Sequence, residues 1–73
     1  MHTRNLDMFG VMEASQVKAL RSQLGLTQEE FASRLGLATS TVQKWEGATA
    51  RPRGLSLRAL KRLARRSGFP IEN

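Results

Sequence analysis

Hydrophobic residues recur with a helical period in several segments of the chain, and one segment, TQEEFASRLGLATSTVQKWE from Thr27 onward, shows it most clearly. Thr27 and Glu30 have the spacing of a capping box, which predicts a helix that starts at Gln28. Gly36 then tolerates the left-handed backbone that ends many helices. The apolar residues on the buried face of this helix are Phe31, Ala32 and Leu35.

A second short helix is predicted from about Thr39 to Trp45, with Val42 and Trp45 pointing inward. Its opposite face is small and polar at the start and cationic later, as a helix in a major groove requires. A solvated surface helix has the same pattern, so the pattern alone leaves both interpretations open. The residues of this outer face are Thr39, Ser40, Gln43 and Lys44.

A preceding helix is predicted from an N-cap at Ser15 to about Gln23, with Gly25 after its end. Its apolar stripe consists of Val17, Leu20 and Leu24. Lys18 and Arg21 are expected on the outer surface of this helix as solvated charges, with phosphate contact as the alternative.

The last predicted helix runs from about Leu55 or Ser56 to Arg66, after a loop whose glycines and proline break regular structure. Leu57, Leu60 and either Leu63 or Ala64 form its apolar stripe. Its opposite stripe carries more cations than the helix dipole requires, which indicates an anionic partner. These cations are Arg58, Lys61, Arg62 and Arg65.

The 73 residues suffice for one small all-α domain, which we divide into an arm (1–13), a helical domain (14–68) and a tail (69–73). Phe69 and Ile71 in the tail are expected to close the core, with a dimer contact as the alternative. Because the chain has no cysteine and His2 is its only histidine, we expect no enzyme activity, metal or cofactor. No apolar run is long enough for a membrane span, and a cytoplasmic protein is expected.

Positive charge is concentrated in the second half of the chain. Residues 1–43 contain four basic and four acidic residues, whereas residues 44–66 contain eight basic residues and a single acid, Glu46. The net charge of +6 therefore comes from one region. Such a distribution predicts contact with a polyanion, and its sign alone does not distinguish nucleic acid from a membrane surface.

The order of these elements resembles the Cro and lambda-repressor-like (XRE) helix-turn-helix family. The resemblance covers about residues 14–66 and rests on the capped TQEEFA helix, the LGL turn, the TVQKWE helix and the RPRG loop. Within the family the sequence looks most like HigA-type and MqsA-type antitoxins and small phage repressors. The resemblance implies a four-to-five-helix lambda-repressor-like fold.

The resemblance also implies roles for single positions. Gln28 matches a glutamine that contacts the DNA backbone and braces the recognition helix. Ala38 stands where the family commonly has a Ser or Thr cap, which allows a helix that begins one residue late with Thr39 as its cap. The implied base contacts are Thr39, Ser40, Gln43 and Lys44. Expected phosphate contacts are Gln28, Thr41, Arg51 and Arg53, with Lys18 and Arg58 as further ones.

The expected function is sequence-specific binding of double-stranded DNA by a transcriptional repressor. One copy buries little surface on DNA, so a homodimer on an inverted repeat is expected, and autoregulation of a phage or mobile element fits the resemblance. Two alternatives are an antitoxin-like module that docks on a toxin-like protein and a nonspecific DNA binder.

Overall fold

Four α-helices make up most of residues 12–70, the part of the chain that the computed structural model describes. They are α1 (Ala14–Leu24), α2 (Gln28–Leu35), α3 (Thr39–Glu46) and α4 (Gly54–Arg66). The described part contains no β-strand, and the predicted all-α class is confirmed. None of these four helices has the length and apolar character needed to cross a membrane.

Two glycines end the first two helices. Gly25 (φ 70°) and Gly36 (φ 75°) adopt the left-handed conformation, which a Cβ atom disfavours. The amides of Leu26 and Leu37 then donate to carbonyls in the last turns, at 3.2 and 2.8 Å. These bonds turn the chain sharply, so α2 and α3 each start within four residues of the preceding helix.

Helix starts follow the predicted chemistry at α2 and depart from it at α1. Thr27 accepts a hydrogen bond from the Glu30 amide at 3.0 Å, and the Glu30 carboxylate accepts one from the Thr27 amide at 2.9 Å. This capping box confirms the predicted start at Gln28. The predicted N-cap at Ser15 is wrong, because α1 begins at Ala14 and its N-cap residue is Glu13. The Gln16 side chain accepts from the Glu13 amide at 2.7 Å as part of a capping box, so these two residues cap the start of α1.

The predicted start of α3 at Thr39 is confirmed, whereas the alternative in which Thr39 is the cap is wrong. Ala38 is its N-cap residue, with no side-chain hydrogen bond, and Thr39 is already helical. Thr39 is therefore not a cap, and its hydroxyl is not used to start the helix. The last helix begins at Gly54, one or two residues before the predicted start at Leu55 or Ser56, and ends at Arg66 as predicted.

The core is formed by one apolar cluster to which every helix contributes. Helix α3 packs against α1 and α2, while α4 packs against α2. Burial of apolar surface is the main force that holds helices this short, since alone they are marginal in water. The buried members are Met12, Val17, Leu20, Phe31, Ala32, Val42, Trp45, Leu60 and Ala64.

Both ends of the described chain pack on this core. Met12, assigned to the predicted arm, is 2% exposed and belongs to the core cluster. Phe69 is half-buried against the same cluster, which agrees with core closure. The remainder of the predicted arm (1–11) and Ile71 lie outside the described residues.

Candidate nucleic-acid interface

The outer face of α3 is polar, cationic and largely exposed. Ser40, Gln43 and Lys44 are exposed, and Thr39 is half-buried. Their spacing of one, three and four residues places them together on a single helix face. The four residues predicted to contact bases thus share one surface, and their contact with DNA stays a prediction.

The inner face of α3 fixes the helix to the rest of the domain. Val42 has no exposed surface and Trp45 is 4% exposed. Trp45 is therefore a packing residue, as predicted, and its ring is not available to stack on a base. Because these two side chains are locked in the core, the direction of the outer face is set by the fold.

A bidentate ion pair connects the end of α3 to α1. The Arg21 guanidinium donates to the Glu46 carboxylate through Nε at 2.6 Å and through Nη2 at 2.9 Å. Arg21 Nη1 also donates to the Leu26 carbonyl at 3.0 Å, and Gln28 Nε2 donates to Glu46 Oε1 at 3.1 Å. One carboxylate therefore binds groups from α1 and α2 at the last residue of α3.

The ion pair shifts the pKa of both partners. The Arg21 hydrogen bonds lower the pKa of Glu46, a shift that burial opposes and that Gln28 and the Lys18 charge reinforce. The Glu46 hydrogen bond raises the pKa of Arg21. Only 6% of the Glu46 side chain and 17% of the Arg21 side chain are exposed. The pair is therefore charged at neutral pH and poorly screened by salt.

The prediction that Arg21 is a solvated charge on the outer surface of α1 is wrong, since its side chain points to α3. The importance of Glu46 was missed altogether. One sequence signal could have found it: Glu46 is the single acid among eight basic residues in 44–66. An isolated acid in a basic surface region weakens polyanion binding unless it has a structural partner.

The loop after α3 folds back onto the end of that helix. The Lys44 carbonyl accepts hydrogen bonds from the amides of Thr49 and Ala50, at 3.0 and 3.3 Å. Ala48 occupies the left-handed region of backbone conformation, at φ 63°. Arg51 follows directly, exposed and 3.9 Å from the Glu13 carboxylate. Arg53 is exposed on the other side of the buried Pro52. Both arginines thus project from a loop that is anchored beside α3.

The other predicted phosphate contacts divide into two groups. Thr41 is half-buried on α3, and Lys18 is exposed on α1, close enough to Glu46 to lower its pKa. Gln28 lies beside the same carboxylate, so the structure brings these residues together around α3. Arg58 instead lines a shallow depression on α4 that otherwise contains only cations.

The described residues contain no group of three metal-binding side chains that could hold an ion.

Comparison with known sequences agrees with this architecture. A type II methyltransferase, M.SsoII of Shigella sonnei, is 38% identical over 50 residues, a stretch that is 64% of this chain. The chain spans only 13% of the methyltransferase. The family model described as a helix-turn-helix domain matches residues 14–73, which include all four helices. In such domains the second helix of the motif enters the major groove of DNA. By this match over most of its length, the chain belongs to the helix-turn-helix domain family.

Proposed function

We propose that this protein is a sequence-specific transcriptional repressor that binds double-stranded DNA as a homodimer on an inverted repeat. The exposed polar face of α3, on a helix whose other face is locked in the core, carries this proposal. A fixed helix with adaptable polar side chains is what direct readout of base edges requires. The protein acts by binding in the cytoplasm and has no catalytic step.

Base recognition is assigned to the outer face of α3. The Gln43 amide can form two hydrogen bonds with adenine N6 and N7, and the Lys44 ammonium can donate to guanine O6 and N7. Thr39 and Ser40 are short enough to let the first turn of α3 approach the base edges closely. Because Thr39 is not a helix cap, its hydroxyl is available for such a contact.

Phosphate contacts supply the salt-dependent part of the affinity and fix the register of α3 in the groove. Arg51 and Arg53 project from the loop that is anchored on Lys44, so they can bind phosphates next to the bases that α3 reads. Gln28 gives one amide hydrogen to Glu46 and keeps a second for a phosphate. Thr41 and Lys18 can bind the backbone around the same helix, with Arg58 as a more distant contact.

A homodimer is proposed because a single α3 reaches only a few base pairs. Two copies related by a twofold axis would place their recognition helices about 34 Å apart on half-sites one turn apart. Bound across a promoter, such a dimer would repress by occlusion. Control of its own operon in a phage or mobile element is the setting that we propose.

The similarity to the methyltransferase M.SsoII is limited to one segment of that enzyme. Its 50 matched residues form a small part of a far longer protein, so this type of domain also occurs joined to other chain segments. Methyl transfer is an activity of that enzyme alone here, since the matched stretch covers only 13% of its length.

Selection of bound duplexes from a random DNA library at physiological salt tests the proposal. We expect an enriched palindromic motif for the native protein. The double variant Gln43→Ala, Lys44→Ala should lose the motif and retain weak, salt-sensitive binding. Lys61→Ala removes one charge from α4 and is the matched control, which should enrich the same motif.

Three outcomes would contradict parts of this function. An unsymmetrical half-site would exclude the dimer on an inverted repeat. An unchanged motif in the double variant would show that α3 does not read the bases. Salt-sensitive retention of all duplexes without enrichment would identify a nonspecific DNA binder.

A further inference from the structure

A groove with an apolar floor and a cationic rim lies away from the outer face of α3. It has a volume of about 540 Å³ and is built by the last residues of α1 and α2 together with α4. No residue of α3 lines it. Its lining residues are Leu24, Arg34, Leu35, Ala59, Arg62, Leu63, Arg66 and Ser67.

The floor of the groove is apolar, and packing against the core and one hydrogen bond between helix ends fix its position. It consists of three partly buried leucines, Leu24, Leu35 and Leu63, which pack against the core cluster. The core covers only part of each side chain, and the remainder faces the groove. Gln23 Nε2 donates to the Ser67 carbonyl at 3.1 Å and joins the end of α1 to the end of α4. The groove is therefore a feature of the packed helices and does not depend on a loop.

The rim consists of exposed arginines that have no acidic partner in residues 12–70. The ion pairs of this region involve Arg21 and Arg51, neither of which lines the groove. Glu30 lies one turn before Arg34 on α2, but its carboxylate accepts from the Thr27 amide in the capping box. The rim arginines are Arg34, Arg62 and Arg66.

We propose that this groove binds an acidic amphipathic segment of another protein. Apolar side chains of that segment would cover the leucines, and its flanking carboxylates would form bidentate hydrogen bonds with the arginines. Arginine around an apolar patch is typical of protein interfaces. Because α3 contributes nothing to the groove, the proposal does not depend on the proposed DNA function, and partner and DNA would bind together.

The charge of the rim argues against a second copy of the chain, and the apolar floor argues against nucleic acid. In a twofold-symmetric contact between two copies, the arginines of one rim would face the same arginines of the other, which is repulsive. Nucleic acid would satisfy the arginines through its phosphates. It would leave the leucine floor without an apolar partner, since phosphates and sugars are polar.

The test is an NMR titration of the full chain, labelled with ¹⁵N, with a designed helical peptide of about four turns. The peptide carries leucines at positions i, i+3, i+4 and i+7, bordered by glutamates. We expect amide shifts at Leu24, Leu35, Ala59 and Leu63 and none on α3. A peptide with lysines in place of the glutamates, and one with serines in place of the leucines, should each bind about tenfold more weakly or not at all.

Charge reversal in the protein completes the design. Arg62→Glu should weaken peptide binding by about tenfold, whereas Arg65→Glu, one turn along α4 and outside the groove, should leave it nearly unchanged. Both positions are exposed, and unfolding monitored by the fluorescence of Trp45 verifies that each variant is folded.

Four results would overturn the proposal. They are the absence of shifts at the groove at millimolar peptide, equal binding of the serine peptide, shifts at the groove caused by a short DNA duplex, and a native dimer that Arg62→Glu dissociates. The third would assign the groove to nucleic acid and the fourth to self-association. Loss of DNA selectivity in the α3 variants would leave this titration unaffected, so the two proposals fail separately.

Discussion

Arg21 and Glu46, 25 residues apart in the sequence, form two parallel hydrogen bonds between α1 and the last residue of α3. Both side chains are largely shielded from water. A charge left alone in such a place is costly, so removing either partner should destabilise the fold more than the pair itself stabilises it.

Glu46→Gln should lower the free energy of unfolding by about 3 kcal/mol, the low end for a broken buried pair, because Arg21 keeps some contact with water. Urea unfolding followed by the fluorescence of Trp45, the single tryptophan, measures this loss. The double variant Arg21→Met, Glu46→Leu should lose less than the sum of its two single changes. Additive losses would show that the two side chains are not coupled.

The ion pair should also make stability depend on pH. The folded-state pKa of Glu46 lies below its ordinary value of 4.5. A lowered pKa adds stability that is fully present above the unfolded value and is lost as the pH falls through the folded value. The difference in unfolding free energy between the native protein and Glu46→Gln should therefore be constant above about pH 5.5 and decrease below pH 4.5.

This comparison removes the contribution of the other carboxylates, because they are present in both proteins. A difference that stays constant down to about pH 3 would mean that Glu46 titrates normally in the folded state.

Thr27→Ala should cost about 1 kcal/mol, since it removes the side-chain acceptor for the Glu30 amide. Ser15→Ala is the matched control: Ser15 lies in the first turn of α1 and does not cap it, so a change within about 0.5 kcal/mol is expected. Urea midpoints with unchanged slopes provide both values. Equal losses would show that the two hydroxyl groups have the same role.

Ala48→Gly should raise stability by about 0.5–1 kcal/mol, because Ala48 holds a left-handed backbone that a Cβ atom disfavours. Ala50→Gly, two residues on and at an ordinary φ, should lower stability by a similar amount through the greater entropy of the unfolded chain. Thermal unfolding of both variants measures the two effects. A loss at both positions would show that the strain at Ala48 is negligible.

Much of the fold was predictable because its signals are local. The capping box at Thr27 and the glycines at 25 and 36 act through residues at most five positions apart. The spacing of apolar residues along α3 is also a local signal, and it correctly predicted the buried face of that helix. These features determine where the helices begin and end and which of their faces is buried.

The features that sequence reasoning missed depend on how the helices meet. Arg21 has a helical position typical of solvated charge, and only the packing of α3 against α1 brings it to Glu46. Met12 likewise becomes a core residue because the helices leave room for it, which no local pattern indicates. The DNA contacts of α3 depend further on a partner molecule, and they stay predictions.

The carboxylate of Glu46 also has a consequence for the affinity of the proposed DNA complex. By joining α3 to α1 and α2 it makes the recognition helix preorganised, so its conformational entropy is lost when the protein folds and not when DNA binds. A variant in which α3 is docked in about one molecule in ten would bind its operator about tenfold more weakly, with every DNA-contacting residue intact. In the proposed complex, DNA affinity is thus under the control of a side chain that need not touch DNA.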